Sequence, residues 1–180
     1  MKTVKKDTKQ ASAIAALNKA IQSERLALQR YLQFARQTVV TSGKDMFIRL
    51  SQDEFGHMVF LEKELDSLAA GKKWISPKFK TSDIEEIVPK LTAIDSKLVA
   101  EQGSTDDLSV LNIALDMEKK AMGFYQKESA KAADPTARAM YLRLAEMEEA
   151  HFNLIQAEID HIKDMGFWFG IQEFTLESNE

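Results

Sequence analysis

Apolar residues recur along most of this chain at spacings of three and four, the period of an amphipathic helix. The pattern predicts four long helices. The first, at about 10–39, carries the stripe Ile14, Leu17, Ile21, Glu24, Leu28, Tyr31 and Ala35. After a turn at "TSGKD", a second helix at about 44–69 carries Phe47, Leu50, Glu54, His57, Leu61 and Leu65. It stops before Gly71, a residue suited to the left-handed position past a helix end. A third helix starts after the cap "STDD" near 106 and runs to about 132, with Leu111, Leu115, Glu118, Met122 and Tyr125 on one face. A fourth runs to about 163 from Asp134 as cap and Pro135 as first helical residue. Its stripe is Tyr141, Leu144, Glu148, His151, Ile155 and Ile162. The stretch at about 71–105 holds Pro77 and Pro89 and has weak periodicity, so it reads as a long crossover with short helices at most. The tail, 164–180, is aromatic and then acidic. Its aromatics are expected to pack on the bundle and its last residues to fray.

A repeat underlies the pattern. Residues 24–66 superimpose on 118–160 at an offset of 94 without a gap, with ten identities in 43 positions. Glu24 falls on Glu118, Ala27 on Ala121, Tyr31 on Tyr125, Arg49 on Arg143, Glu54 on Glu148 and His57 on His151. Two similar helical hairpins joined by a crossover predict an all-α four-helix bundle, one domain over 1–180 with the bundle at about 10–163.

Each stripe is interrupted by a glutamate, and two stripes also carry a histidine three residues later. Buried carboxylates and imidazoles are costly unless compensated. Glu24 and Glu54 are 30 apart with midpoint 39, beside the first turn; Glu118 and Glu148 are 30 apart with midpoint 133, beside Asp134 and Pro135. In an antiparallel hairpin such pairs lie at one height, so packing the hairpins symmetrically brings all six side chains together. Four carboxylates in a dry interior repel or take up protons. Two divalent cations balance their charge and give both imidazoles a partner. A Glu and a His at i and i+3 share a helix face and can share a metal ion. A single Glu-x-x-His on a helix is common and mostly means surface; two copies, each matched to a stripe glutamate at equal distance, point to a metal site. Oxygen and nitrogen ligands without sulfur suit iron or manganese, and zinc accepts them too.

Composition narrows the field. The net charge is −4 and there are no cysteines. That excludes disulfides, thiol catalysis and cysteine-ligated metal centres within these residues. No basic patch with interleaved aromatics suggests nucleic acid as a partner. No apolar run approaches a membrane span of roughly 20 residues. The basic start "MKTVKKDTKQ" is not followed by the apolar core of a signal peptide, which makes the cytoplasm the expected compartment.

The blocks "ERLALQRY", "LSQDEFGH", "MEKKAMGFY" and "LAEMEEAH" resemble, in order, the four metal-binding segments of the ferritin-like superfamily, and within it the rubrerythrin di-iron domain. The resemblance covers about 10–163. It implies two iron ions, with Glu24 and Glu118 as terminal ligands, Glu54 and Glu148 as bridges, and His57 and His151 each completing one ion. It implies a redox enzyme that reduces peroxide or dioxygen, or else a ferroxidase that handles iron, and a homodimer. Two departures stand out. Rubrerythrins typically add a cysteine-bound iron domain; without cysteine, electrons are expected from a separate donor protein. They also carry a further glutamate one turn after the third-helix ligand, where this chain has Ala121, mirrored by Ala27. Tyr31 and Tyr125, two turns beyond a ligand on the same face, are placed to hydrogen-bond a ligand carboxylate. Arg49 and Arg143 are expected in salt bridges, His161 in solvent, and Trp74 and Trp168 as packing anchors. A metal-free interaction bundle is the remaining alternative, which metal content would decide.

Overall fold

A computed structural model describes residues 2–76, 81–88, 101–102 and 105–168 of the chain. The elements are α1 (Lys2–Gln37), α2 (Thr41–Ala69), a short α3 (Asp83–Ile87), β1 (Glu101–Gln102), α4 (Thr105–Lys131), α5 (Pro135–Met165) and β2 (Phe167–Trp168). α1 packs along α2 and α4 along α5, which makes the two expected hairpins of an all-α bundle. Pro77, Pro89, the cap residue Ser104 and the tail beyond Trp168 lie outside the described residues.

Several helix ends follow the local chemistry. The side chain of Asp134 accepts hydrogen bonds from the backbone N–H groups of Thr136 and Ala137, with Pro135 behind it. Gly71 and Gly166 take positive φ values, 70° and 78°, just past α2 and α5. That region favours glycine because it has no Cβ to clash. α1 begins earlier than its apolar stripe, since the lysine-rich start contains neither glycine nor proline to stop a helix.

The first turn differs from expectation. "TSGKD" is already helical, and the connection is Thr38–Val40, ahead of it. Val40 is extended, at φ −68° and ψ 130°, a conformation that suits a β-branched residue. Gly43 therefore does not make the turn. A Cβ there would lie 2.8 Å from the Thr38 methyl and 2.9 Å from the Trp168 indole ring. Glycine lets the buried Trp168 lie against the start of α2. Gly43→Ala is expected to destabilise the fold by about 1–3 kcal/mol, the cost of overpacking a filled site. A lower urea midpoint at unchanged slope would show it.

The core is divided in two. Tyr31, Phe34, Phe47, Leu50, Leu111, Leu154 and Ile155 belong to one apolar cluster. Leu17, Ile21, Leu61, Tyr125, Met140, Tyr141 and Leu144 belong to the other. On every long helix the glutamate of the stripe falls between a segment of one cluster and a segment of the other. The polar layer is thus a slab with an apolar cluster on each side.

The two tryptophans close the ends crosswise. Trp74 follows α2 but packs edge-on against Tyr141 of α5; Trp168 follows α5 but packs edge-on against Phe47 of α2. Both pairs obey the offset of 94, so the repeat extends beyond residue 66. β1 and β2 pair antiparallel, Glu101 with Trp168 and Gln102 with Phe167, and tie the end of the crossover to the segment that carries Trp168. Arg49 and Arg143, equivalent in the repeat, both grip α3. Arg49 bonds Asp83 at 2.6 Å, and Arg143 makes a two-pronged pair with Glu85, with one contact at 2.7 Å. Glu85 also closes a capping box with Ser82 at the start of α3. The crossover is in this way fastened to both hairpins. Among the described residues no helix is long and apolar enough to cross a membrane.

Candidate metal centre

The six side chains singled out by the stripes meet in the polar layer. Glu24, Glu54, His57, Glu118, Glu148 and His151 are each no more than 2% exposed. They form two overlapping groups of potential ligands. Glu24, Glu54, His57 and Glu148 make one; Glu54, Glu118, Glu148 and His151 make the other. Within each group the candidate ligand atoms all lie within 4.8 Å of one another. Glu54 and Glu148 belong to both.

The carboxylate oxygens show how the groups are joined. Glu54 turns Oε2 toward His57 Nδ1 at 3.2 Å and Oε1 toward His151 Nδ1 at 3.3 Å. Glu148 turns Oε1 toward His57 Nδ1 at 3.3 Å and Oε2 toward His151 Nδ1 at 3.5 Å. Each of these glutamates therefore spans both imidazoles, one oxygen to each. Glu24 and Glu118 stay on their own sides, 3.5 Å from His57 and 3.8 Å from His151. The imidazole rings are near parallel, 5.6 Å apart.

The tyrosines link the hairpins. Tyr31 of the first donates a hydrogen bond to Glu118 of the second, and Tyr125 of the second donates one to Glu24 of the first. Each hydroxyl thus fixes the carboxylate of the opposite hairpin. Tyr31 stacks on Phe47 and Tyr125 on Tyr141, so the rings are held as well. Ala27 and Ala121 are half-buried, one turn from Glu24 and Glu118. His161 is half-buried rather than fully solvated, and its ten-residue separation from His151 puts it roughly 15 Å along the helix from the layer.

One partner was not foreseen. Asp53, next to Glu54 on α2, bonds His151 Nε2 at 3.1 Å through Oδ2. No spacing along the chain announces this contact, because it joins α2 to α5.

Charges in the layer separate into two kinds. Burial pushes the pKa of Glu24 well above the carboxylate range, and the charges of Glu148 and Glu54 add to it. Burial and the Glu148 charge push Glu118 up to about 8. Burial also works against ionising Glu54, but the imidazoles of His151 and His57 beside it prevail and hold it well below its usual value. Glu148 is lowered despite burial and the Glu54 charge, again by the two imidazoles. Burial disfavours the charged imidazoles. The acceptors around His57 (Glu148, Glu24 and Glu54) nevertheless raise it well above the usual histidine value. Those around His151, Asp53 first, do the same. Burial thus pushes Glu24 and Glu118 toward the protonated form, while Glu54 and Glu148 are held toward the ionised form and both imidazoles toward the charged form.

That balance leaves polar atoms unsatisfied. Glu54 Oε1, both oxygens of Glu148 and His151 Nδ1 are buried without a hydrogen bond. Buried groups in native proteins nearly always find a partner, and a metal ion is one such partner. The donor set is oxygen and imidazole nitrogen, which fits a borderline divalent cation such as ferrous iron.

Comparison with known proteins agrees with this chemistry. The family model described as Rubrerythrin matches residues 15–159, which include all six buried ligand candidates and both tyrosines. No curated protein matches the chain.

Proposed function

The chain belongs to the rubrerythrin family of ferritin-like di-iron domains, and from that we propose that it holds two iron ions and reduces peroxide or dioxygen with electrons from a separate donor protein. One observation carries the dinuclear reading: Glu54 and Glu148 each present one oxygen to either imidazole. Glu24 and His57 would complete one ion, and Glu118 and His151 the other. Bound iron would supply the two electrons, one from each ion, and polarise the oxidant. The residues of the chain do the rest. The two apolar clusters keep bulk water from the layer. Tyr31 and Tyr125 hold Glu118 and Glu24 in place as charge changes beside them. The terminal carboxylates and imidazoles, whose pKa values are raised, would give up protons to bound cations.

The near-complete burial of all six side chains supports a site that retains its metal rather than one that passes iron on. Ala121 stands where the rubrerythrin resemblance implies a glutamate, and the layer holds four carboxylates. Either oxidant remains within the proposal, and a homodimer is part of it.

The test is anaerobic loading with ferrous iron followed by mixing with peroxide or with air-saturated buffer. About two ions per chain should bind, oxidise, and remain bound through repeated cycles of reduction. Release of ferric iron or a growing mineral absorbance would make the protein an iron-handling ferroxidase instead. Full-strength binding by a Glu54→Ala, Glu148→Ala double variant would remove the basis for both readings.

A further inference from the structure

We propose that Asp53 is a positioning residue for His151: its carboxylate fixes the imidazole with Nε2–H outward and the Nδ1 lone pair toward Glu54, Glu118 and Glu148, and so raises the metal affinity of that half of the site. The inference rests on the six side chains being metal ligands.

The geometry is direct. Asp53 Oδ2 lies 3.1 Å from His151 Nε2, while Nδ1 of the same ring lies 3.3–3.8 Å from three carboxylates. A neutral imidazole has one N–H and one lone pair. With Nε2 facing an acceptor, the proton that the neutral ring keeps belongs there, and the lone pair that a metal ion would use faces the layer. Outer partners of this kind orient a ligating imidazole and make it a better donor, and their loss typically costs 10–100-fold in metal affinity.

Packing does not account for the acid. At the offset of 94 the counterpart of Asp53 is Met147, so the same place in the other hairpin accepts an uncharged side chain. The Asp53 side chain is 20% exposed, at the rim of the layer, where water could have satisfied an imidazole N–H. An aspartate there adds charge and direction that folding does not require.

Cobalt(II) titration of the metal-free full chain tests the idea, with Asp53→Asn as the isosteric variant and Asp53→Ala as the deletion. In the parent two cobalt ions bind. In Asp53→Asn one of the two affinities should fall 10–100-fold while the other holds, with a loss at least as large in Asp53→Ala. Nitrogen-15 shifts in the zinc-loaded parent should show His151 bound through Nδ1 and protonated at Nε2, and that Nε2 proton should exchange faster in Asp53→Asn. Unchanged affinities in both variants overturn the proposal. So does an equal fall of both affinities, since Asp53 would then act on the whole site and not through His151. A parent that binds no cobalt defeats the functional reading itself, whereas a parent that binds two with an indifferent Asp53 defeats only this inference.

Discussion

Loading the metal-free protein with ferrous iron at pH 7 releases protons. Glu24, Glu118, His57 and His151 have raised pKa values in the folded chain, so they are the groups that give protons up to a bound cation. Glu54 and Glu148 are lowered and contribute least. Release limits the charge that a divalent cation brings into this dry slab, where a net charge has no water to stabilise it. Calorimetric titration in buffers of different ionisation enthalpy, or a pH-stat, gives the number. Metal binding without proton release would mean that these groups carry no extra protons in the metal-free fold, and the charge balance proposed for the layer would be wrong.

Metal-induced stabilisation should depend steeply on pH for the same reason. Ligands that bind only the folded state stabilise it by about 4 kcal/mol per site at a thousandfold excess over Kd. Each displaced proton shifts the binding free energy by about 1.4 kcal/mol per pH unit. Every displaced proton adds to that dependence, so the stability added by metal falls as pH drops below neutrality. The metal-free protein moves the other way. Glu24, Glu118, His57 and His151 have raised pKa values, so the stability they contribute is present below their unfolded values and lost as pH rises through their folded ones. For Glu118 that window runs from 4.5 to about 8. Glu54 and Glu148 are lowered, so their contribution disappears on acidification below 4.5. The metal-free bundle should therefore be more stable near pH 5 than near pH 8, and the gap to the loaded form should be widest at the higher pH. Urea or thermal unfolding of both forms at the two pH values measures it. Equal metal-induced shifts at both would count against a buried layer of four carboxylates.

Much of this was legible in the chain because helical periodicity is local. The stripes fix which residues share a face, and Glu54 with His57, or Glu148 with His151, needs only the rise of one turn. The equal separation of 30 within each hairpin fixes height, so the polar layer could be assembled from spacing alone. The capping of α5 by Asp134 and Pro135, and the positive φ of Gly71, are likewise properties of a few adjacent residues. The glycine of "TSGKD" looks like a turn residue from its neighbours alone; its reason is the indole of Trp168, more than a hundred residues away.

What the sequence alone determined is thus the all-α bundle, its two hairpins and the six residues of the layer. What the tertiary structure decided is how the hairpins dock. Docking gives Tyr31 to Glu118 and Tyr125 to Glu24, splits the oxygens of Glu54 and Glu148 between two imidazoles, and exchanges Trp74 and Trp168 between hairpins. It also brings Asp53 to His151, where the equivalent position in the repeat is Met147. The physical reason is that spacing within a helix specifies direction and height but not the partner across the bundle. Protonation depends on those partners too, since the burial and neighbouring charges that set it exist only after the four helices have packed.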